Sequence, residues 1–212
     1  MFDYIRDPDE IYRRSFAAVR AEADLAGLSP VMEEVAVRLV HACGMPGIIA
    51  DLAFSEGAAE AGRRALADGA PILVDGEMLR AGIIKDRLPA GNMVLCTLQR
   101  PETPDLAKKA ETTRAAAAVE LWRRHLEGAV VAIGNAPTAL FRLLELLAEG
   151  VGPPALIAGF PVGFVGAAES KEALIDAAAT VPYITLRGRR GGSALAAATI
   201  NALGITRAGV GP

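Results

Sequence analysis

The chain has 212 residues and a mass of 22.0 kDa, enough to bury roughly 70% of its unfolded surface in one core without covalent staples. Hydrophobic residues make up 52% and aromatics 5%, so the core must be built from Ala, Val, Leu and Ile, a mix suited to helices packed closely on a sheet. A formal net charge of -3, with no basic and aromatic-interleaved stretch, excludes a strong general attraction to nucleic acid.

The first helix is announced by Asp7 as N-cap, Pro8 at the first helical position and Glu10 in a capping-box position. Tyr12, Ser15, Phe16, Val19 and Ala23 follow at three- and four-residue spacing as its inward stripe, and Gly27 can end it. A second helix starts at Ser29-Pro30 and runs to His41, where Gly44 and Pro46 prevent continuation. Beyond it, short apolar runs alternate with helical ones. Strands are predicted near Ile48–Phe54, Ile72–Asp75, Met93–Thr97, Val130–Ile133, Leu156–Gly159 and Tyr183–Leu186. Helices are predicted near Gly57–Asp68, Glu77–Ala81, Leu106–Leu126, Pro137–Glu149, Ser170–Thr180 and Ser193–Leu203. Strands bounded by helices, with few hairpin signals, predict an α/β protein, a three-layer α/β/α sandwich around a mainly parallel, Rossmann-like sheet. No linker of domain-dividing length interrupts residues 1–212, so one domain is expected.

Cys43 and Cys96 form no Cys-x-x-Cys pair and have no cluster of histidines to complete a zinc shell. Reduced, buried thiols and no bound metal are expected. The start of the chain has neither a basic nor an apolar targeting region, and no apolar run reaches ~18 residues. A cytoplasmic protein without membrane association is expected.

His41 is one of two histidines, and its place at a helix C-terminus suits an imidazole that takes up and releases a proton. A plain helix cap is the alternative. His125, behind Arg123-Arg124, fits an exposed helix-end charge. In open parallel sheets ligands lie beyond the carboxyl ends of the strands. Three loops there are rich in glycine: Gly134-Asn135-Ala136-Pro137-Thr138, Gly159 to Gly166, and Arg187-Gly188-Arg189-Arg190-Gly191-Gly192-Ser193. Their spacings match neither the dinucleotide fingerprint nor the phosphate loop. The third loop, with three arginines and backbone N–H groups at a helix start, suits a carboxylate as well as a phosphate; a solvated turn is its plain alternative. Asn135 and Thr138 also fit helix caps, and Arg114 also fits an ion pair with Glu111 or Glu120.

Further segments join these: Asp3-Tyr4-Ile5-Arg6-Asp7, Arg14-Ser15-Phe16, His41-Ala42-Cys43-Gly44, Leu88-Pro89-Ala90-Gly91-Asn92, Thr113-Arg114, Gly134-Asn135-Ala136-Pro137-Thr138 and Glu169-Ser170-Lys171. In this order they resemble the precorrin-8X methylmutase family, the precorrin isomerases of corrin and vitamin B12 biosynthesis, over essentially the whole chain. The resemblance implies a 1,5-sigmatropic shift of a methyl group from C11 to C12 of the macrocycle, giving hydrogenobyrinic acid, with no cofactor. It implies His41 as catalytic acid/base and Ser15 as a substrate contact. For a flat, apolar ring rimmed by carboxylates, Gly163 and Gly192 belong to loops that could cover its face. Arg14, Arg114, Arg187 and Arg189 would meet its rim, with Asn135 and Thr138 beside them. A homodimer with sites near the subunit interface is also implied. Two alternatives stay open: the cobalt-precorrin-8 methylmutase of the cobalt-early branch, and a non-catalytic tetrapyrrole-binding protein.

Overall fold

In the computed structural model, which describes residues 2–177 and 181–204, six short strands form one sheet in the order β1-β6-β5-β4-β2-β3. They are β1 (Leu52–Phe54), β2 (Ile72–Val74), β3 (Val94–Cys96), β4 (Val130–Ile133), β5 (Leu156–Gly159) and β6 (Tyr183–Leu186). Every neighbouring pair is parallel except β1 with β6. Strands β2, β4, β5 and β6 are buried along their whole length, which is why they read as continuous apolar runs. Alternate side chains still separate: Ile72, Val130, Ala132, Leu156 and Ile184 enter one core, and Leu73, Val131, Ile133 and Ile157 the other.

Helices α2 (Pro30–Cys43), α3 (Ala58–Ala67), α4 (Glu77–Gly82) and α9 (Ser193–Gly204) cover the first face. The second is covered by α6 (Arg114–Glu120), α7 (Pro137–Ala148) and α8 (Ala167–Asp176), with α5 (Thr103–Lys109) beside α6. This is the expected three-layer sandwich. The alanine-rich α9 is buried over most of its length because the sheet, α2, α3 and α4 all pack on it.

Several boundaries differ from expectation. The helix predicted over Leu106–Leu126 is two helices, because Glu111 turns the chain at φ 50° and Thr113 Oγ1 caps α6 by accepting from the Ala116 N–H at 3.1 Å. Trp122 leaves the helix for the core, where its indole N–H donates to Thr97 Oγ1 at 2.8 Å. Residues Pro46–Asp51 form a 3-10 turn, so β1 begins only at Leu52. Helix α8 starts at Ala167 behind Gly166, whose left-handed φ of 78° sets the turn; the end expected at Thr180 lies outside the described residues. Cys43 and Cys96 are free thiols as expected, but only half-buried.

Helix α1 (Pro8–Glu22) stands outside the sandwich and packs on α2. Asp7 caps it as expected, accepting from the Asp9 N–H at 3.0 Å, but Glu10 pairs with Arg13 and Arg14 instead of closing the capping box. The helix ends at Glu22, before Gly27. Its predicted stripe does face inward, with Val19 and Ala23 against the core and Ser15 and Phe16 half-buried, but no α1 residue is fully buried and Tyr12 is 45% exposed.

Candidate active site

The parallel strands run β3-β2-β4-β5-β6, so the direction in which the sheet is built reverses between β2 and β4, where such sheets open a crevice beyond the strand ends. Here the crevice is closed by the protein's own carboxylate. Asp75, buried at the end of β2, accepts from the Gly134 N–H at 2.9 Å, the Asn135 N–H at 2.9 Å and the Ala136 N–H at 2.8 Å. Burial pushes its pKa up, and the three N–H donors pull it back down. A nucleotide phosphate at the start of α7 would have to displace this internal anion.

The side chains that converge lie one layer away, at the end of α2. Gly44, at φ 69°, closes the helix with its N–H on the Val40 carbonyl at 2.7 Å. His41 in the last turn places Nδ1 2.8 Å from Ser15 Oγ of α1. Tyr12 lies roughly parallel to the imidazole at 5.8 Å between centroids, and Phe16 meets it edge-on at 5.2 Å. Tyr12, Ser15 and Phe16 thus form one wall around the ring, at the three- and four-residue spacing that puts them on one helix face. The first half of the α1 stripe is this wall, and Val19 and Ala23 carry the stripe on to the core. The hydroxyl can donate to Nδ1 of a neutral imidazole or accept from Nδ1–H of the cation, so the contact survives a change of protonation state. Among the described residues, Nε2 makes no hydrogen bond.

Across the α2 terminus lies an open cavity of about 440 Å³, lined by Ala42, Cys43, Gly163, Phe164, Arg189 and Gly191 among others. Its walls are the end of α2, the β5–α8 loop and the β6–α9 loop. The middle loop leaves Phe164 86% and Val165 88% exposed, and the Arg189 guanidinium sits 5.1 Å from the Phe164 ring centroid. An apolar face with a cation at its edge can hold a planar ring and one rim anion.

The expected site residues fall into separate groups. Ser15 and His41 meet directly and line a pocket of their own, about 220 Å³ between α1 and the end of α2, while Gly163 and Arg189 line the larger cavity that begins at the next residues of α2, Ala42 and Cys43. Gly192, at φ 123°, donates its N–H to the Phe160 carbonyl at 2.8 Å and fixes the loop. Asn135 follows β4, Thr138 stands in the first turn of α7, and Arg114 opens α6. Neither Asn135 nor Thr138 caps α7: the N-cap is Ala136, and Thr138 Oγ1 lies 2.8 Å from Thr113 Oγ1. Arg114 pairs with neither Glu111 nor Glu120. It donates instead to the Leu98 carbonyl at 3.2 Å and contacts Gln99 Oε1 at 3.5 Å. Arg14 is held by Glu10 at 2.5 Å, and Arg187 by Glu172 at 2.5 Å, so both would have to release a carboxylate to take another. His125 is exposed, in a turn beyond α6.

Sequence reasoning passed over Arg38, one turn before His41, whose guanidinium lies 5.4 Å from the Phe16 ring centroid and is half-buried. Burial lowers its pKa. Its three-residue offset from His41 was the available signal.

Comparison with known proteins agrees with this picture. Residues 10–206 match the precorrin-8X methylmutase family. The chain is similar to the precorrin-8X methylmutase of Pseudomonas aeruginosa, 59% identical over 207 residues, which cover 98% of this chain and 100% of that one. It is 39% identical to the cobalt-precorrin-8 methylmutase of Methanothermobacter thermautotrophicus over 92% of this chain and 91% of the other. Among solved structures, the precorrin-8X methylmutase of Thermus thermophilus superposes with a TM-score of 0.82 at 42% identity, covering 91% of this chain and 94% of that one. Fold and relatives thus define an α/β isomerase. The chain belongs to the precorrin-8X methylmutase family.

Proposed function

We propose that the chain moves the methyl group of precorrin-8X from C11 to C12, giving hydrogenobyrinic acid, with His41 as the proton donor and acceptor. The observation that carries this reading is the Ser15–His41 hydrogen bond in a pocket at the end of α2, where the next residues, Ala42 and Cys43, line the apolar cavity whose edge holds Arg189. With Nδ1 engaged by Ser15, Nε2 is the nitrogen available to a macrocycle. Protonating a ring nitrogen makes the conjugated system more electron-poor. The C11–methyl bond then breaks as the C12–methyl bond forms, and the proton returns to His41. Atoms and electrons balance within the substrate, so no oxidant, methyl donor or cofactor is called for. General acid catalysis of this kind typically contributes ~10²–10⁴-fold, and holding the ring in a reactive shape supplies the remainder.

Phe164 and the Gly163 loop would cover the ring face, while Arg189, Arg38 and Arg114 would meet carboxylates at the rim; Arg14 and Arg187 would exchange their present partners to do so. Two relatives at 59% and 55% identity carry the precorrin-8X name, against 39% and 34% for two named for the cobalt substrate, which favours the metal-free macrocycle. The protein would act in the cytoplasm as a homodimer, the second copy covering the exposed side of α1. Among the described residues no helix is long and apolar enough to cross a membrane. Incubation with precorrin-8X and with cobalt-precorrin-8, followed by absorption spectra, tests the reading. Isomerisation of precorrin-8X is expected; conversion of the cobalt form alone would move the protein to the cobalt-early branch, and binding without conversion would make it a carrier.

A further inference from the structure

Lys171 lies on α8 with no solvent exposure, an uncommon place for an ammonium, which is costly to bury unless it is well bonded. Its Nζ donates to the Arg190 carbonyl at 2.6 Å. That carbonyl belongs to the turn between β6 and α9 that brings Arg189 to the cavity. Two more hydrogen bonds fix the same turn: the Gly163 N–H donates to the Arg189 carbonyl at 3.3 Å, and the Gly192 N–H to the Phe160 carbonyl at 2.8 Å. Between them Gly191 presses so closely on the β5–α8 loop that a Cβ would stand 2.3 Å from the Phe160 oxygen, so the turn cannot settle further inward.

The charged groups around Lys171 are already committed. Asp51 holds the Arg190 guanidinium at 2.5 Å and Glu172 holds Arg187 at 2.5 Å, and neither forms an ion pair with Nζ among the described residues. Burial draws the Lys171 pKa down to about 8, against the opposing pull of Asp51 and Glu172. A methionine could fill the same volume without the desolvation penalty. What the ammonium adds is a charge-assisted, directional hold on one backbone carbonyl.

We infer that Lys171 is a positioning residue for ligand capture: its Nζ holds the Arg190 carbonyl so that Arg189, the residue before, stands over Phe164 at the cavity rim. This rests on the function proposed above. Hydrogenobyrinic acid titrated against the unaltered protein, Lys171→Met, Arg189→Ala and the double variant tests it. Lys171→Met should lower affinity roughly tenfold, the scale of one charge-assisted hydrogen bond, and should add nothing to the loss already produced by Arg189→Ala. A packing role alone would lower the melting temperature and leave this coupling at zero. In a Cys43→Ala background, which removes the cavity thiol, affinity should fall several-fold as pH rises through about 8 and Lys171 loses its proton. This arm needs no substitution at Lys171, so it decides even where Lys171→Met does not fold. Additive losses, unaltered affinity in Lys171→Met, or a flat pH profile would each overturn the inference. Failure of the unaltered protein to bind the product would instead overturn the functional reading beneath it.

Discussion

At the scale of single residues, His41 and Ser15 are a coupled pair on two helices. His41→Ala should lose ~10²–10⁴-fold in turnover while still binding product, because in the proposed function the imidazole handles a proton and does not anchor the rim. Ser15→Ala should lower kcat by roughly tenfold and leave product affinity nearly unchanged, since one hydrogen bond that orients the ring is lost. Equal losses of affinity and turnover in Ser15→Ala would show that the hydroxyl serves the substrate and not the imidazole. Both residues were singled out in the sequence through the resemblance. Their 2.8 Å contact was not, because it depends on how α1 docks on α2 across 26 residues of chain. Arginines separate in the same way. Arg189→Ala should weaken product binding more than Arg187→Ala, and the difference should shrink in high salt, because Arg189 faces the cavity while Arg187 is held by Glu172. Binding isotherms at two ionic strengths would check this.

At the scale of elements, the buried strands were legible because continuous apolar runs between glycines and polar caps have few other readings. The break between α5 and α6 was not. The alanine-rich stretch after Arg114 keeps helical spacing, and the cap at Thr113 competes with that pattern through a single hydroxyl. The junction of β2 with the β4–α7 loop was missed for a similar reason: Asp75 looks like any acidic residue ending a strand until the fold brings 134–136 over it. Asp75→Asn keeps the shape but turns an amide N–H₂ toward backbone donors. It should destabilise the protein by about 1–3 kcal/mol, the penalty of leaving buried donors without an acceptor, with a lower midpoint in denaturant. An unchanged midpoint would mean that the loop is held by packing alone, with Gly134 close against Ser193.

For the molecule as a whole, α1 is the one α-helix among the described residues with no buried residue. Phe2, Tyr4, Ile11 and Tyr12 are all exposed on or just before it, at 91%, 64%, 46% and 45%. Apolar surface gathered on one element is expected to be covered by a second copy. Sedimentation at micromolar concentration should therefore give a species of twice the 22.0 kDa chain mass, and a 22.0 kDa species alone would contradict it.

In the proposed dimer, the same exposure of α1 would make catalysis answerable to concentration. Ser15, Tyr12 and Phe16 ride on the helix with the least burial, so the imidazole's wall is as firm as whatever holds α1 in place. By mass action, dilution below the dissociation constant of the proposed dimer should release that helix, and turnover per molecule should decline together with the protection of α1 amides from hydrogen exchange, while the cavity loops stay ordered.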